Sequence, residues 1–186
     1  EDKTFYEHSG FNYQRLALAV IKAATGSSGP GASTLTSQLV KNAILTPERT
    51  YTRKLKEMIL TFRIEKEFDK DQILQLYLNE IPYGSTAYGV ESAANLYFDK
   101  SASDITLAES ALLAAIIQRP TYYSPYGNNL DSLLARKDIT LDLMAEQEYI
   151  TEEDRDEAKA QELAFKERRE DITAPHFVFH VRETLV

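Results

Sequence analysis

From Gly31 to Asn42 the sequence reads Gly31-Ala32-Ser33-Thr34-Leu35-Thr36-Ser37-Gln38-Leu39-Val40-Lys41-Asn42. The run follows a stretch rich in Gly and Ser, 26–30, in which the backbone can turn. Apolar residues then recur at helical spacing, so the run predicts a loop that opens into a helix. Hydroxyl and amide side chains beside the free N–H groups of a helix start favour an anion such as phosphate. Taken alone, the run is more simply explained as an ordinary capped helix.

Composition and charge describe one folded, acidic domain. The chain has 186 residues, of which 43% are hydrophobic, and its lack of cysteine excludes a disulfide framework. The formal net charge of −8 argues against a nucleic-acid partner. Between Lys41 and Lys66, however, seven basic and three acidic residues give a local net charge of +4. A basic island in an acidic chain indicates an anionic ligand in that region.

Apolar periodicity predicts a mainly α-helical fold, because strand patterns are sparse. We expect capped helix starts near Thr34, at Thr50 or Thr52, at Asp69 or Asp71, at Thr106 and at Thr151. The helix after Thr151 is expected to reach about Glu167. The helix that begins near Thr50 carries one apolar stripe, made of Leu55, Met58, Ile59 and Phe62.

Several polar groups can carry chemistry, although none of them is specific alone. Glu1 and Asp2, near a His and a Phe, can support general acid–base catalysis. Arg53 and Glu57 lie one helical turn apart, which places a carboxylate beside a fixed positive charge. Asn79 precedes a Pro/Gly bend and is expected to be buried there.

The order and spacing of these groups are more specific than any single one. Five motifs follow one another along the chain, and they cover roughly residues 1–126. They are Glu1-Asp2-x-x-Phe5-x-x-His8-x-Gly10; Gly31-x-Ser33-Thr34-x-Thr36-x-Gln38-x-x-Lys41-Asn42; Arg53-Lys54-x-x-Glu57; Tyr77-Leu78-Asn79 with Gly84 and Gly89; and Leu107-Ala108-Glu109-x-Ala111-Leu112-Leu113-Ala114 ending at Pro120. The series resembles the peptidoglycan glycosyltransferases of glycosyltransferase family 51, which occur in class A penicillin-binding proteins and monofunctional transglycosylases.

The resemblance implies a particular architecture and location. It implies a lysozyme-like, mainly α domain over residues 1–173, with a small membrane-proximal jaw subdomain at about 11–32. Residues 174–186 would begin a linker toward a transpeptidase domain that is absent from this chain. The domain would work at the extracytoplasmic face of the bacterial plasma membrane, anchored by an N-terminal helix that is not present in this chain.

The resemblance also implies a reaction and its residues. Lipid II would be added to a growing lipid-linked glycan, forming a β-1,4 bond with inversion and releasing undecaprenyl diphosphate. Glu1 matches the general base and Glu57 the second acid, on the diphosphate side. The matching substrate-binding residues are Asp2, Ser33, Thr34, Gln38, Lys41, Asn42, Arg49, Arg53 and Lys54. Phosphoglycolipid inhibitors of the moenomycin type would bind the same site.

The sequence also bears on cofactors, and it departs from the family pattern at two positions. No cofactor is required by the sequence and no protein metal site is expected, although Mg²⁺ or Mn²⁺ is compatible with a bound diphosphate. His176 and His180 are four residues apart, but no third metal ligand accompanies them, so we expect them to have structural or surface roles. The family usually has a second Gln at the position of Ser37, and a Gly is common at Ala32.

Two other functions remain open. Paired carboxylates on a helical domain also serve a lysozyme-like glycan hydrolase. The other alternative function is that of an inactive glycan-binding module. The cations Lys41, Arg49 and Arg53 favour a glycosyltransferase, since a hydrolase acting on a neutral sugar bond has no diphosphate to hold.

Overall fold

The computed structural model describes residues 2–13, 17–18, 21–22, 25, 33–46, 50–84 and 86–167. Across these ranges the chain forms α-helices and no strand, with one isolated antiparallel bridge between Pro82 and Tyr88. The mainly α class is therefore confirmed. The helices are α1 Leu35–Ala43, α2 Tyr51–Glu67, α3 Lys70–Glu80, α4 Val90–Phe98, α5 Leu107–Ile117, α6 Leu130–Glu146 and α7 Glu152–Ala160.

The helices form two packed groups around one main core. α1 packs against both α2 and α3, while α6 packs against α5 and α7. α4 contacts α3 and α5 and so joins the two groups. Side chains from both groups meet in the core, among them Ile73, Tyr77, Tyr97, Leu112 and Leu133. The start of α1 adjoins this core, because Leu35 packs against it.

Capping side chains begin the helices where the sequence predicts them. Thr106 and Thr151 close reciprocal capping boxes with Glu109 and Asp154. Thr50, rather than Thr52, caps α2, and its hydroxyl accepts from the Arg53 N–H. Asp69, rather than Asp71, caps α3. Local sequence therefore places the helix starts, because each cap satisfies N–H groups that the helix leaves open.

The prediction that the last helix reaches Glu167 is wrong, since α7 ends at Ala160. The following segment packs back on α4 instead of continuing the helix. The Lys166 N–H donates to the Tyr97 carbonyl at 2.8 Å, and Phe165 stacks on Phe98 with ring centroids 5.9 Å apart. Lys166 Nζ also pairs with Asp99. Tertiary burial of Phe165 thus overrides the helical propensity of this segment.

The bend after α3 also differs from the prediction, because Asn79 is exposed and not buried. Gly89 closes the bend, and its N–H donates to the Ile81 carbonyl at 3.0 Å. Its φ of +79° favours glycine, and a Cβ there would lie 2.5 Å from the Asn79 carbonyl oxygen. Close backbone approach, rather than a buried amide, holds this bend.

Several predictions fall on residues outside the described ranges. These are most of the jaw segment at about 11–32 and the linker at 174–186, with His176 and His180. The domain boundary at 173 therefore stays a prediction. No helix within the described ranges has the length and apolar character needed to cross a membrane.

Candidate active site

The N-terminal segment is fixed to the start of α1 by a buried carboxylate. The Asp2 Oδ2 atom accepts from the Leu35 N–H at 3.2 Å and lies 3.0 Å from His8 Nε2. His8 Nδ1 in turn accepts from the Gly10 N–H at 3.2 Å. A carboxylate at a helix N-terminus is stabilised by the open N–H groups and the helix dipole. Glu1, the predicted base, is the chain neighbour of Asp2 but lies outside the described residues.

Thr34 and Ser37 are both engaged in the fold at the first turn of α1. The Thr34 hydroxyl donates to the Gly10 carbonyl at 2.7 Å, and Thr34 is almost fully buried. The Ser37 hydroxyl accepts from the Thr34 N–H and donates to the Thr34 carbonyl, both at 2.9 Å. Ser37, at the position where the resemblance leads us to expect a Gln, therefore closes a capping box.

A buried polar network joins α1 to α2 and α3. The Thr36 hydroxyl donates to the Glu65 carboxylate, which also pairs with Lys70 at 2.8 Å. The Lys70 ammonium lies 4.4 Å from the centroid of the Phe5 ring. Gly10 packs on the same carboxylate side chain, since a Cβ there would lie 2.9 Å from Glu65 Cγ. The network therefore holds the N-terminal segment against all three helices.

A polar cleft of about 960 Å³ opens between the end of α1 and the start of α2. Four predicted substrate-binding residues line it, namely Lys41, Asn42, Arg53 and Lys54. Thr50 and the first turn of α2 also line the cleft. Three cations and a helix N-terminus therefore face one space, which suits a multiply charged anion.

Glu57 is buried, and both of its oxygens are paired with cations. Its Oε2 lies 3.1 Å from Arg53 Nη1, and its Oε1 bonds the Lys54 ammonium. The predicted pairing of Arg53 and Glu57 is therefore present, with Lys54 as a second partner. A buried charge is tolerated when it is paired and hydrogen-bonded. Glu57 thus holds two of the three cations that line the cleft.

A second cavity of about 350 Å³ continues from the first, because both are lined by Lys41 and Asn42. Ser33 and Gln38 also line it, as does Gln118 after α5. Hydroxyl and amide groups in this number suit the hydroxyls of a sugar. The two cavities together form a groove with a cationic end, named here the substrate groove.

The chain matches known proteins along most of its length. A family model described as Transglycosylase covers residues 1–145. The chain belongs to the transglycosylase family. Penicillin-binding protein 1A of Neisseria meningitidis serogroup A is 42% identical over 100% of this chain and 23% of its own length. Penicillin-binding protein 1A of Aquifex aeolicus is 40% identical over 98% of this chain and 25% of its own length.

The fold of this chain also aligns with that of a solved crystal structure. The crystal structure of penicillin-binding protein 1A from Haemophilus influenzae aligns with a TM-score of 0.53 and 27% identity. The alignment covers 82% of this chain and 19% of that one. The transglycosylase thus spans about a quarter of the length of these curated relatives. The resemblance to peptidoglycan glycosyltransferase domains of class A penicillin-binding proteins, and the enzyme class it implies, are confirmed.

The structure brings together six of the predicted site residues of this transglycosylase in the substrate groove. They are Ser33, Gln38, Lys41, Asn42, Arg53 and Lys54. Asp2 and Thr34 lie at the start of α1, and Glu57 lies behind its two cations. Glu1 and Arg49 fall outside the described residues. The specific roles of all eleven stay predictions.

Sequence reasoning did not assign a site role to Tyr77 of this transglycosylase. The Tyr77 hydroxyl donates to Gln38 Oε1 at 3.2 Å, and the Tyr77 side chain is 2% exposed. Because the carbonyl end of the Gln38 amide is taken, its NH₂ end is oriented for another acceptor. The Tyr77-Leu78-Asn79 motif marks this position in the sequence, but the motif does not show that Gln38 is the hydrogen-bond partner of Tyr77.

The part of the transglycosylase that the structure describes contains no group of three or more His, Cys, Asp and Glu side chains arranged to hold an ion. The expectation that the protein holds no metal of its own stays a prediction.

Proposed function

We propose that this domain polymerises lipid II into β-1,4-linked glycan strands and releases undecaprenyl diphosphate. The observation that carries the proposal is the cationic end of the substrate groove, formed by Lys41, Arg53 and Lys54. Opposite charges at close range in a partly buried site interact several times more strongly than in bulk water. Lys41, Arg53 and Lys54 outnumber the one carboxylate paired with them, Glu57, so a net charge of +2 remains beside the helix N-terminus. This charge suits a diphosphate, whereas a neutral sugar bond needs none.

The groove orders the donor for displacement. The diphosphate lies at the cationic end, and the sugar that carries it lies in the adjoining cavity beside Gln38 and Asn42. Preorganised cations stabilise the negative charge that grows on the diphosphate as the bond to the anomeric carbon breaks. Arg49, seven residues after Asn42, is proposed as a further cation for this group. Phosphoglycolipids of the moenomycin type compete for the same end because they carry a phosphate.

Glu1 is the proposed general base. The 4-hydroxyl oxygen of the acceptor sugar attacks the anomeric carbon of the donor, and its proton passes to the Glu1 carboxylate. The bond between the anomeric carbon and the diphosphate oxygen breaks on the opposite face, so the configuration inverts. Glu57 assists departure through Arg53 and Lys54, since both of its oxygens are already paired. A general base of this kind contributes roughly 10²–10⁴ in rate.

A divalent cation is compatible with this arrangement and is not required by it. Glu57, the carboxylate that the structure places next to the cleft, is paired with two cations. Mg²⁺ or Mn²⁺ would therefore be held mainly by the diphosphate oxygens.

The exposed stripe of α2 supports a location at the membrane surface. Leu55, Met58, Ile59 and Phe62 are 43–62% exposed, and together with Phe11 they line an apolar groove of about 710 Å³. Arg63 and Lys66 also line this groove and outnumber its one acid, Glu67, which suits anionic headgroups. We propose that this face meets the extracytoplasmic face of the plasma membrane, where a lipid-linked substrate resides. In the full-length protein, residues beyond 173 would lead to a transpeptidase domain.

The test is polymerisation of lipid II by the wild type and by Glu1→Gln. We expect the wild type to elongate glycan and Glu1→Gln to lose at least about 10²-fold in kcat. Glu7→Gln, a change at an exposed acid in the same segment, is the matched control and should retain full activity. Degradation of preformed glycan without elongation of lipid II would favour the hydrolase. Unchanged polymerisation by Glu1→Gln would exclude Glu1 as the base.

A further inference from the structure

A further cavity adjoins the substrate groove and takes no part in the proposed reaction. Its volume is about 320 Å³, and it lies among the N-terminal segment, α3, α5 and α6. Ile117 lines both this cavity and the sugar cavity. Asp2, the chain neighbour of the proposed base, lines it as well. The cavity is therefore placed to hold a group attached to a sugar in the substrate groove.

Arg136 is the unusual member of this cavity. It is half-buried, yet its guanidinium makes no hydrogen bond or ion pair with any residue that the structure describes. Its Nε atom is fully buried without an acceptor. Lys70 and Lys100, two other partly buried cations, are paired with Glu65 and Glu109. A buried donor without a partner costs free energy, so an acceptor from outside the described chain is indicated.

The charges around Arg136 favour an anion. Lys3 lines the same cavity, is exposed, and forms no ion pair within the described ranges. Asp2 also faces the cavity, but its Oδ2 is engaged by the Leu35 N–H and His8. The two cations Lys3 and Arg136 thus outnumber the one carboxylate, which is held by its own partners.

The rest of the lining decides which anion fits. Ala114, Ile117, Leu143 and Met144 give the cavity an apolar floor. A sugar or a diphosphate presents few alkyl groups to such a floor, whereas a short peptide presents both alkyl side chains and carboxylates. Guanidinium and carboxylate groups match in geometry and can form two parallel hydrogen bonds.

We propose that this cavity binds a carboxylate-bearing peptide substituent of the sugar substrate, with Arg136 and Lys3 as the carboxylate ligands. The inference rests on the proposed function, since it makes the cavity a subsite of the same groove. It assigns the cavity a role in selecting substrate, separate from the chemistry at the diphosphate.

The test compares two forms of lipid II, one with free carboxylates on its peptide and one with those carboxylates converted to amides. The variants are Arg136→Met and Lys3→Met, and the control is Arg155→Met, whose ion pairs with Asp142 and Asp156 lie on the exposed side of α6 and α7. For the free-carboxylate substrate we expect both variants to raise KM about tenfold with kcat little changed. For the amidated substrate the wild type should already show the higher KM, and neither variant should raise it further.

The outcomes separate this inference from the proposed function. Equal effects of Arg136→Met on both substrates, or an unchanged KM for the free-carboxylate form, would overturn the inference and leave the polymerase intact. Failure of the wild type to elongate either substrate would overturn the proposed function itself. If Arg136→Met lowers the melting temperature, Lys3→Met decides the result, because Lys3 is exposed.

Discussion

At the scale of single residues, the hydrogen bond from Tyr77 to Gln38 links the core to the substrate groove. Tyr77→Phe keeps the buried ring and removes only the hydroxyl, so the Gln38 amide is free to rotate. We expect KM for lipid II to rise about threefold to tenfold, with a smaller change in kcat. Polymerisation kinetics measure both constants.

A matched control for this change is Tyr126→Phe. The Tyr126 hydroxyl lies within hydrogen-bond distance of two acceptors, the Leu96 and Lys166 carbonyls, and none of these three residues lines the groove. Its loss should lower stability by about 1 kcal/mol and leave KM unchanged. Equal KM values for Tyr77→Phe and the wild type would show that Tyr77 does not position Gln38.

The residue scale also shows which contacts a sequence can predict. The pairing of Arg53 with Glu57 follows from helical spacing alone, because one turn separates them on the same face. The bond from Tyr77 to Gln38 joins residues 39 positions apart. It depends on how α1 packs on α3, which spacing within either helix does not specify. The same holds for Arg136, whose lack of a partner among the described residues is visible only in the folded chain.

At the scale of elements, α2 combines a cationic first turn with an exposed apolar stripe. The sequence predicts the stripe correctly, but its period cannot tell whether core, lipid or water covers it. The first turn meets the cleft because Thr50, which caps the helix there, lines the cleft together with Lys41 and Asn42. α2 thus offers charge to the diphosphate and apolar surface to a lipid.

The stripe gives an element-scale prediction. Ile59 and Phe62 are 49% and 62% exposed, so Ile59→Ser with Phe62→Ser should leave the fold intact. We expect the double variant to bind anionic phospholipid vesicles at least about tenfold more weakly, since each side chain loses roughly 1.5–3 kcal/mol of burial in lipid. Co-sedimentation with vesicles measures the change. Ile139→Ser, at a site on α6 that is 47% exposed, is the control and should bind as the wild type does. Undiminished binding of the double variant would exclude this face as the membrane contact.

At the scale of the whole molecule, the two helix groups are joined by buried tyrosines of α4 and the adjoining bend. The Tyr97 hydroxyl donates to the Tyr83 carbonyl at 2.6 Å, and both side chains are almost fully buried. Local sequence predicted the helices that these residues connect, but the segment after Ala160, which folds back on α4, was read as helix. Long-range packing of this kind decides where the last helix ends. The same packing buries Tyr83 and Tyr97 and so changes the pKa of both hydroxyls.

Burial raises the pKa of Tyr97 to about 12, with a smaller contribution from the neighbouring Tyr126. Burial also raises the pKa of Tyr83 well above its ordinary value of 10. In the unfolded chain both hydroxyls ionise near pH 10, while in the folded chain they stay protonated. The unfolded state therefore binds fewer protons above pH 10, and the free energy of unfolding falls as pH rises from about 10 to about 12.

The expected slope is up to about 1.4 kcal/mol per pH unit for each buried tyrosine. Tyr97→Phe should lower stability at pH 7 by about 1 kcal/mol, because the bond to the Tyr83 carbonyl is lost. Above pH 10 the same variant should lose stability less steeply than the wild type, since one of the two groups no longer titrates. Urea unfolding at pH 7, 10, 11 and 12 measures both effects. Tyr122→Phe, at a side chain 39% exposed, should keep the wild-type slope. Parallel curves for Tyr97→Phe and the wild type would show that ionisation of Tyr97 does not limit the stability of the joined core at high pH.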